Sequence, residues 1–213
     1  MRLDDLGHPK RRRTDRPNLA GPHQVRESRE GFLDVGVRRR PVDAAMEAFA
    51  TSGVDAPIRD IAEKAGVGVG TLYRHFPQRS DLIVAVFRQE VDACTAAAST
   101  LAAQFEPGEA LERWLDRFIA FVSAKRGLSA ALHSGDPAYE PLPVYLMEHL
   151  APAASSLLLA AARTGLVRSD IEPTELLMAI AHLCAPDGKG GITAESRRMV
   201  SLLIDGVRYN ARG

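Results

Sequence analysis

Only two cysteines, Cys94 and Cys184, occur among the 213 residues, and the formal net charge is zero. Two cysteines are too few for a disulfide framework or a cysteine-built zinc site. The balanced charge excludes a histone-like polycation, so affinity for nucleic acid would have to come from a local basic patch. The most apolar run, residues 150–162, is too short to span a bilayer, and the charged N-terminus lacks the apolar core of a signal peptide. The chain is therefore predicted to be cytoplasmic, without a membrane partner.

Charge is unevenly distributed along the chain. Residues 1–90 carry a net charge of +3 and residues 91–213 a net charge of −3, and the first forty residues alone contain 11 basic and 6 acidic side chains. A segment of this composition buries too little apolar surface to offset its chain entropy, so residues 1–37 are predicted to be a disordered basic extension. The extension is either an inert tail or an arm that lies along DNA phosphates or in a minor groove.

From residue 38 onward, hydrophobic residues recur at helical spacing, with almost no strand pattern. Proline at the start and glycine at the end of several segments agree with helix boundaries. The sequence therefore predicts an all-α fold of about nine helices. The predicted helical segments are 41–52, 57–65, 69–76, 79–103, 111–122, 128–133, 144–163, 173–184 and 192–208.

Three short helices, with a tight glycine turn over residues 66–68 between the second and the third, form the outline of a helix-turn-helix. Leu72 and Phe76 are expected to face inward. The opposite side of the third helix then offers hydroxyl, guanidinium and imidazole donors, which bind phosphate oxygens and guanine edges. The predicted outward residues are Val69, Gly70, Thr71, Tyr73, Arg74 and His75, with Arg79 at the start of the next helix.

Three segments around this turn carry a family resemblance. They are DAAMEAFA from Asp43, DIAEKAGV from Asp60 and GTLYRHFP from Gly70, in register with Gly53. Over residues 38–90 the chain resembles the DNA-binding domain of the tetracycline-repressor (TetR) family. The resemblance implies a bacterial regulator, usually a repressor, that binds a palindromic DNA operator as a homodimer. It also implies that a small molecule entering the C-terminal domain releases the DNA.

The resemblance also assigns roles to individual residues. Arg59 and Arg74 match positions that read bases, whereas Thr71, Tyr73, His75 and Arg79 match positions that mainly hold phosphates. Val69 and Gly70 match the groove-facing start of the recognition helix. The chain departs from the family pattern at Gly68, often a serine cap, and at Val69, commonly a lysine. The run Arg38, Arg39 and Arg40 either replaces the lost phosphate affinity or is a solvated face.

The C-terminal half resembles the family in architecture. Residues 173–185 and 192–208 look like the two last helices of the family, which pair across a dimer axis as a four-helix bundle. Helices that are apolar on several faces also need more partners than one chain of this size offers. The predicted domains are 38–88 for DNA binding and 89–213 for effector binding and dimerisation.

Between these ends an effector pocket is expected for an unidentified small apolar or amphipathic molecule. Its candidate lining residues combine apolar side chains with a few polar groups, and each could equally be ordinary core. They are Trp114, Phe118, Phe121, Val122, Leu132, His133, Tyr145, Leu146, His149 and Met178. The alternative to this ligand-gated regulator is a helix-turn-helix protein without a ligand switch, which predicts a filled C-terminal core.

An enzyme is not expected from this sequence. Ser134 beside His133, with Asp136 nearby, superficially resembles a catalytic triad, but adjacent residues on one turn point in different directions. The glycines of residues 66–70 lack the lysine and the preceding strand of a phosphate-binding loop. The histidines lack metal-ligand spacing, so neither a metal nor a cofactor is predicted.

Overall fold

The computed structural model describes residues 39–123, 134–184 and 193–209, which all belong to one compact unit. Within these ranges there are eight α-helices, one 3-10 helix (Pro137–Tyr139) and no strand. The predicted all-α fold is confirmed, with a helix count close to the predicted nine. The predicted helix 128–133 and the predicted extension 1–37 lie outside the described residues. The α-helices are α1 (39–52), α2 (Ile58–Ala65), α3 (Val69–His75), α4 (Arg79–Gln104), α5 (Pro107–Ser123), α6 (Leu142–Arg163), α7 (Pro173–Leu183) and α8 (Ala194–Arg208).

Helices α2 and α3 are joined by a turn that needs glycine. Gly66 has φ +66°, a left-handed conformation that glycine adopts without a steric penalty. The N–H of Val67 donates to the carbonyl of Ala62 at 3.0 Å, which closes the last turn of α2 as in a Schellman motif. The buried face of α2 is made of small and β-branched residues, and Leu72 and Phe76 are buried on the α3 side, as predicted.

The long helix α4 connects the short N-terminal helices to the rest of the unit. Its start is fixed by a capping box, in which the N–H of Gln78 donates to the Asp81 carboxylate at 2.9 Å. Farther along, α4 packs against α5, α6 and the 3-10 helix. The indole N–H of Trp114 on α5 donates to the carbonyl of Cys94 on α4 at 2.9 Å. This bond satisfies the polar atom of a fully buried tryptophan and fixes α5 against α4.

Helix α6 is the most apolar of the long helices. The stretch Pro137–Arg163, which is longer than the run of residues 150–162 considered in the sequence analysis, is long and apolar enough to cross a membrane by length and composition alone. A core helix of a globular protein meets the same criterion, so the length and composition of this stretch do not identify a membrane span. Its buried residues, among them Leu150 and Leu157, lie on the side that packs against α4 and α5. Pro152 is exposed and lies inside α6, which continues to Arg163.

The last two helices close the C-terminal end. The Glu172 carboxylate caps α7 by accepting from the N–H of Thr174 at 2.6 Å. The N–H of Arg168 donates to the carbonyl of Val207 at 3.0 Å, which ties the loop before α7 to the end of α8. Val200 and Val207 are the buried residues of α8, so the described residues leave most of its surface uncovered.

Candidate nucleic-acid interface

The outer side of α3 offers donor groups to solvent. Tyr73 is 48% exposed, and Arg74 and Gly70 are exposed beside it. Thr71, which follows Gly70, is half-buried, as are Val69 and His75. Arg74 and His75 also give the last turn of α3 its basic character. The predicted outward residues therefore lie at or near the surface, while the inward Leu72 is fully buried.

Basic residues on the preceding helices are exposed as well. Arg59 lies in the first turn of α2, which also carries Asp60. Arg39 and Arg40 are exposed at the beginning of α1. Arg38, the first of the predicted arginine run, lies outside the described residues. Guanidinium groups at exposed positions can donate hydrogen bonds to phosphate oxygens.

Arg79 is engaged inside the protein. Its Nε–H donates to the carbonyl of Val54 at 2.6 Å, and its Nη2 donates to the carbonyl of Ala56 at 2.5 Å. Sequence reasoning treated Arg79 only as a phosphate contact and missed these bonds. Burial and the Asp136 carboxylate raise the pKa of Tyr139, and the positive charge of Arg79 opposes this shift. The side chain of Arg79 is therefore a structural link near the start of α4.

The candidate pocket residues are divided between core and surface. Trp114 and Phe118 stack with ring centroids 6.0 Å apart and have no accessible surface, so no water-sized space lies against them. Phe121 is also buried, and its ring centroid lies 6.2 Å from that of Phe118. Met178 is 41% exposed, which places it on the outer side of α7 and corrects its predicted position in an interior cavity. As effector contacts, Trp114 and Phe118 would require α5 to separate from α4.

The remaining pocket candidates that the structure describes are half-buried. They are Val122, Tyr145, Leu146 and His149. Leu132 and His133 lie outside the described residues, whereas Ser134, the other member of the triad-like pair, is described and exposed. Among the described residues, no group of three His, Cys, Asp or Glu side chains is arranged to hold a metal. The candidates thus do not form a single described cavity, and their contact with an effector stays a prediction.

Tyr145 and His149 form a polar cluster between α6 and α4. Their rings stack with centroids 3.9 Å apart, and the Tyr145 hydroxyl donates to the Asp92 carboxylate at 2.6 Å. The guanidinium of Arg88 lies 5.1 Å from the centre of the Tyr145 ring. Burial, together with the hydrogen bond and charge of Asp92, raises the pKa of Tyr145 to about 12, despite the opposing charge of Arg88. This cluster fastens α6 to the middle of α4.

An apolar groove of about 570 Å³ runs between α7 and α8. Leu202 is 64% exposed here, and Met199 one turn before it is also exposed. The charged residues that line the groove all belong to the segment of residues 168–175. Its lining comprises Arg168, Asp170, Ile171, Glu172, Glu175, Leu176, Ala179, Leu183, Met199, Leu202, Leu203, Gly206 and Val207.

Known proteins share both halves of this architecture. Residues 42–86 match the family model for bacterial regulatory proteins of the tetR family, and residues 106–209 match that for the C-terminal domain of SbtR-like transcriptional regulators. The solved TetR transcriptional regulator SCO0520 from Streptomyces coelicolor is 36% identical, with a TM-score of 0.65, over 80% of this chain and 98% of that one. The chain belongs to the TetR family. A TetR regulatory protein from Mycobacterium vanbaalenii is 32% identical, with a TM-score of 0.60, over 83% of this chain and 98% of that one.

Sequence relatives of this TetR-family regulator cover a smaller part of it. The HTH-type transcriptional repressor KstR of Mycolicibacterium smegmatis is 39% identical over 66 residues, 29% of this chain and 32% of that protein. An HTH-type regulator of Staphylococcus aureus is 28% identical over 101 residues, 46% of this chain and 55% of that protein. The chain thus spans about a third of the first relative and about half of the second. The family and its solved members are transcriptional regulators with a DNA-binding helix-turn-helix, not enzymes.

Neither the backbone conformation nor the packing of the described residues requires a glycine at position 70. Its φ is not in the left-handed region, and a Cβ built on it meets nothing within 4 Å. Glycine in a helix costs up to about 1 kcal/mol relative to alanine. A bare backbone at an exposed position of the recognition helix instead leaves room for DNA to come close.

Gly70→Ala should therefore raise stability and lower operator affinity together. We expect a melting temperature higher by about 1–4 °C, because roughly 1 kcal/mol shifts a domain of this size by 2–4 °C. Operator affinity should fall about tenfold, which corresponds to roughly 1.4 kcal/mol for the added methyl group. Thermal unfolding monitored by circular dichroism and fluorescence anisotropy with labelled operator measure the two effects. Unchanged affinity in this variant would show that the DNA does not approach Gly70.

The Tyr145 cluster makes stability depend on pH at the alkaline end. The folded-state pKa of Tyr145, about 12, lies above the ordinary tyrosine pKa of about 10, so the folded protein holds this proton more tightly. Its contribution to stability is present below pH 10 and is lost as pH rises from about 10 to 12. The stability difference between wild type and Tyr145→Phe should shrink across that window and stay constant from pH 7 to 9. Urea unfolding at each pH measures the free energy of unfolding of both proteins, and Tyr209→Phe at the end of α8 is the control. A stability difference between wild type and Tyr145→Phe that is equal at all pH values would contradict the prediction.

Proposed function

We propose that this TetR-family regulator represses transcription by binding a palindromic operator as a homodimer in the cytoplasm. A small apolar or amphipathic effector releases the DNA. Residues 38–88 form the DNA-binding domain and residues 89–213 the effector-binding and dimerisation domain, with the boundary inside α4. The observation that carries the proposal is the exposed outer side of α3, with Tyr73 and Arg74 beside a glycine that packing does not require.

Within this proposal, different residues of α2 and α3 contact the bases and the phosphates of the operator. Arg59 and Arg74 read base edges in the major groove, where guanine offers two acceptors to a guanidinium group. Thr71, Tyr73 and His75 hold phosphates and set the register of α3 on the duplex. Val69 and Gly70 face the groove at the start of α3. The arginines of residues 38–40 add phosphate contacts at the start of α1.

The dimer is proposed from the groove between α7 and α8. An exposed apolar surface of this kind is costly in water, and a second copy of the same two helices covers it as a four-helix bundle. A two-fold axis at this bundle pairs two recognition helices. Their half-sites then lie about one helical turn, or 34–36 Å, apart.

Release by an effector is proposed to act through α4. Three residues separate this helix from α3, and the Tyr145 cluster holds its middle against α6. An effector that binds between α4, α5 and α6 would change the tilt of α4 and thus the spacing of the two recognition helices. A preference of about 1–3 kcal/mol for the wide-spaced state is enough for such a switch.

A DNA-binding protein without a ligand switch is the second candidate. It is favoured by the absence of accessible surface at Trp114 and Phe118, which form filled core in the centre of the C-terminal half. The two candidates differ in whether any small molecule weakens operator binding. A thermal-shift screen of amphipathic molecules, followed by release of bound operator, distinguishes them.

Selection of bound sequences from random duplexes tests the operator proposal. We expect an inverted repeat with half-sites about one helical turn apart and two protein chains per duplex. Enrichment of no common sequence, or of an asymmetric site bound by one chain, would overturn it. The selected duplex also serves as the operator in the other binding measurements.

A further inference from the structure

The side chain of Arg79 links the beginning of α4 to the segment that precedes α2. Helices α2 and α3 are connected at one end by the glycine turn of residues 66–68. At the other end, α2 starts after Pro57, and α3 ends at His75, with three residues between it and α4. Arg79 is the first residue of α4, and its guanidinium binds the carbonyls of Val54 and Ala56, on the segment that leads into α2.

These bonds make a closed frame. The chain runs from α2 through the glycine turn to α3 and on to α4, and the Arg79 side chain returns from α4 to the start of α2. The base of the side chain is held in place, since the capping box of Gln78 and Asp81 fixes the backbone at the beginning of α4. Shared core packing of Ile61, Leu72 and Phe76 holds the two helices together, and the Arg79 link adds a polar restraint on their angle at the end opposite to the turn.

The chemistry of the link requires arginine. Two different nitrogens of one planar guanidinium bind two carbonyls at 2.6 Å and 2.5 Å, and Ala56 is buried, so its carbonyl has limited access to water. Charge-assisted bonds of this kind are about twice as strong as neutral ones. Lysine carries the same charge on a single nitrogen and cannot reproduce the fork.

We propose that Arg79 is a positioning residue for operator recognition, which fixes the angle between α2 and α3 from inside the protein. The inference rests on the proposed operator binding. Arg79 thereby controls where Arg59 on α2 lies relative to Arg74 on α3 when both meet base edges. Two nitrogens of its guanidinium, which has five N–H donors, bind the carbonyls of Val54 and Ala56. In the proposal this link replaces the phosphate contact that the family resemblance implies for Arg79.

Arg79→Lys separates the two roles, because lysine retains the charge but loses the fork. We expect affinity for the selected operator to fall about tenfold, the equivalent of roughly 1.4 kcal/mol. Affinity for an unrelated duplex should stay within about twofold, and the salt dependence should be unchanged, because phosphate contacts are retained. Fluorescence of Trp114, the single tryptophan, and far-ultraviolet circular dichroism monitor folding of the variant.

Arg79→Gln is the second variant and decides the matter if the lysine variant loses helicity. It should also lose preference for the operator over the unrelated duplex. A phosphate contact predicts instead that lysine binds both duplexes like wild type, while glutamine weakens both equally and makes the salt slope shallower by about 0.9 for each lost contact. That pattern would overturn the proposal. So would a lower melting temperature with an unchanged operator preference, since Arg79 would then stabilise without positioning.

The wild-type protein keeps this test separate from the test of the proposed function. If wild type selects an operator, operator recognition stands whatever the Arg79 variants do. If wild type prefers no duplex, the proposed function fails, and the positioning role fails with it.

Discussion

Arg74→Ala should abolish operator retention while leaving the protein folded. A guanidinium that binds a guanine edge contributes about 1–3 kcal/mol of discrimination. A homodimer loses two such contacts, so we expect affinity to fall by roughly 30-fold to 10⁴-fold, at about 1.4 kcal/mol for each factor of ten. Arg74 is exposed, so its removal should leave the melting temperature within about 1 °C. Fluorescence anisotropy with the selected operator and thermal unfolding measure the two quantities.

Arg113→Ala is the matched control for this experiment. Arg113 is an exposed arginine on α5, where its guanidinium pairs with Glu109 at 2.8 Å, and its removal changes the net charge by the same amount. It should bind operator nearly as wild type does. If both variants lose the same affinity, the effect is one of net charge, and the assignment of Arg74 to the interface is wrong.

The second large effect is expected from Leu202→Glu, which should convert the dimer to a monomer. Leu202 is 64% exposed in the single chain and lines the α7–α8 groove. In the proposed bundle its side chain is buried against the partner, where an unpaired carboxylate costs several kcal/mol. Loss of the link between the two half-sites should weaken operator binding by about 10²-fold to 10⁴-fold. Sedimentation velocity gives the mass, and anisotropy gives the affinity.

Leu159→Glu provides the control for the dimer. Leu159 is 53% exposed on α6, and it does not line the α7–α8 groove. Its substitution should leave both the dimer and its operator affinity intact. A Leu202→Glu protein that sediments as a dimer and binds operator normally would show that dimerisation uses another surface.

The parts of the fold that sequence reasoning predicted well depend on short-range signals. Gly66 ends α2 because only a residue free to adopt φ +66° closes that turn without strain, and this requirement is visible in the sequence. Leu72 and Phe76 were placed inward by helical spacing, and both are buried. The start of α4 after Pro77 was likewise predicted from the proline.

Long-range contacts could not be predicted in the same way. The carbonyl partners of Arg79 lie 23 and 25 residues earlier in the chain, so spacing alone carried no signal for the bonds. The phosphate role predicted for Arg79 came from the family resemblance alone. One feature of the sequence did point to a special role for Arg79. A positive charge at the start of a helix interacts unfavourably with the helix dipole, so an arginine there needs another interaction to offset the cost.

The effector pocket shows a second limit of periodicity. Helical spacing indicates which residues share a face, but neighbouring faces of an apolar helix look alike in sequence. On α7, Leu177 is fully buried while Met178, the residue chosen as a pocket candidate, is exposed. Trp114 and Phe118 share a face of α5 as expected, and packing against α4 fills the space beside them.

Chemical protection of the operator tests the central claim most directly, because dimethyl sulfate methylates guanine N7 in the major groove and adenine N3 in the minor groove. If α3 enters the major groove, guanines in both half-sites should be protected at N7 by the wild-type protein and not by Arg74→Ala. Adenines between the half-sites should remain reactive at N3. Protection confined to adenine N3, or guanines that stay fully reactive under saturating protein, would contradict major-groove recognition by α3.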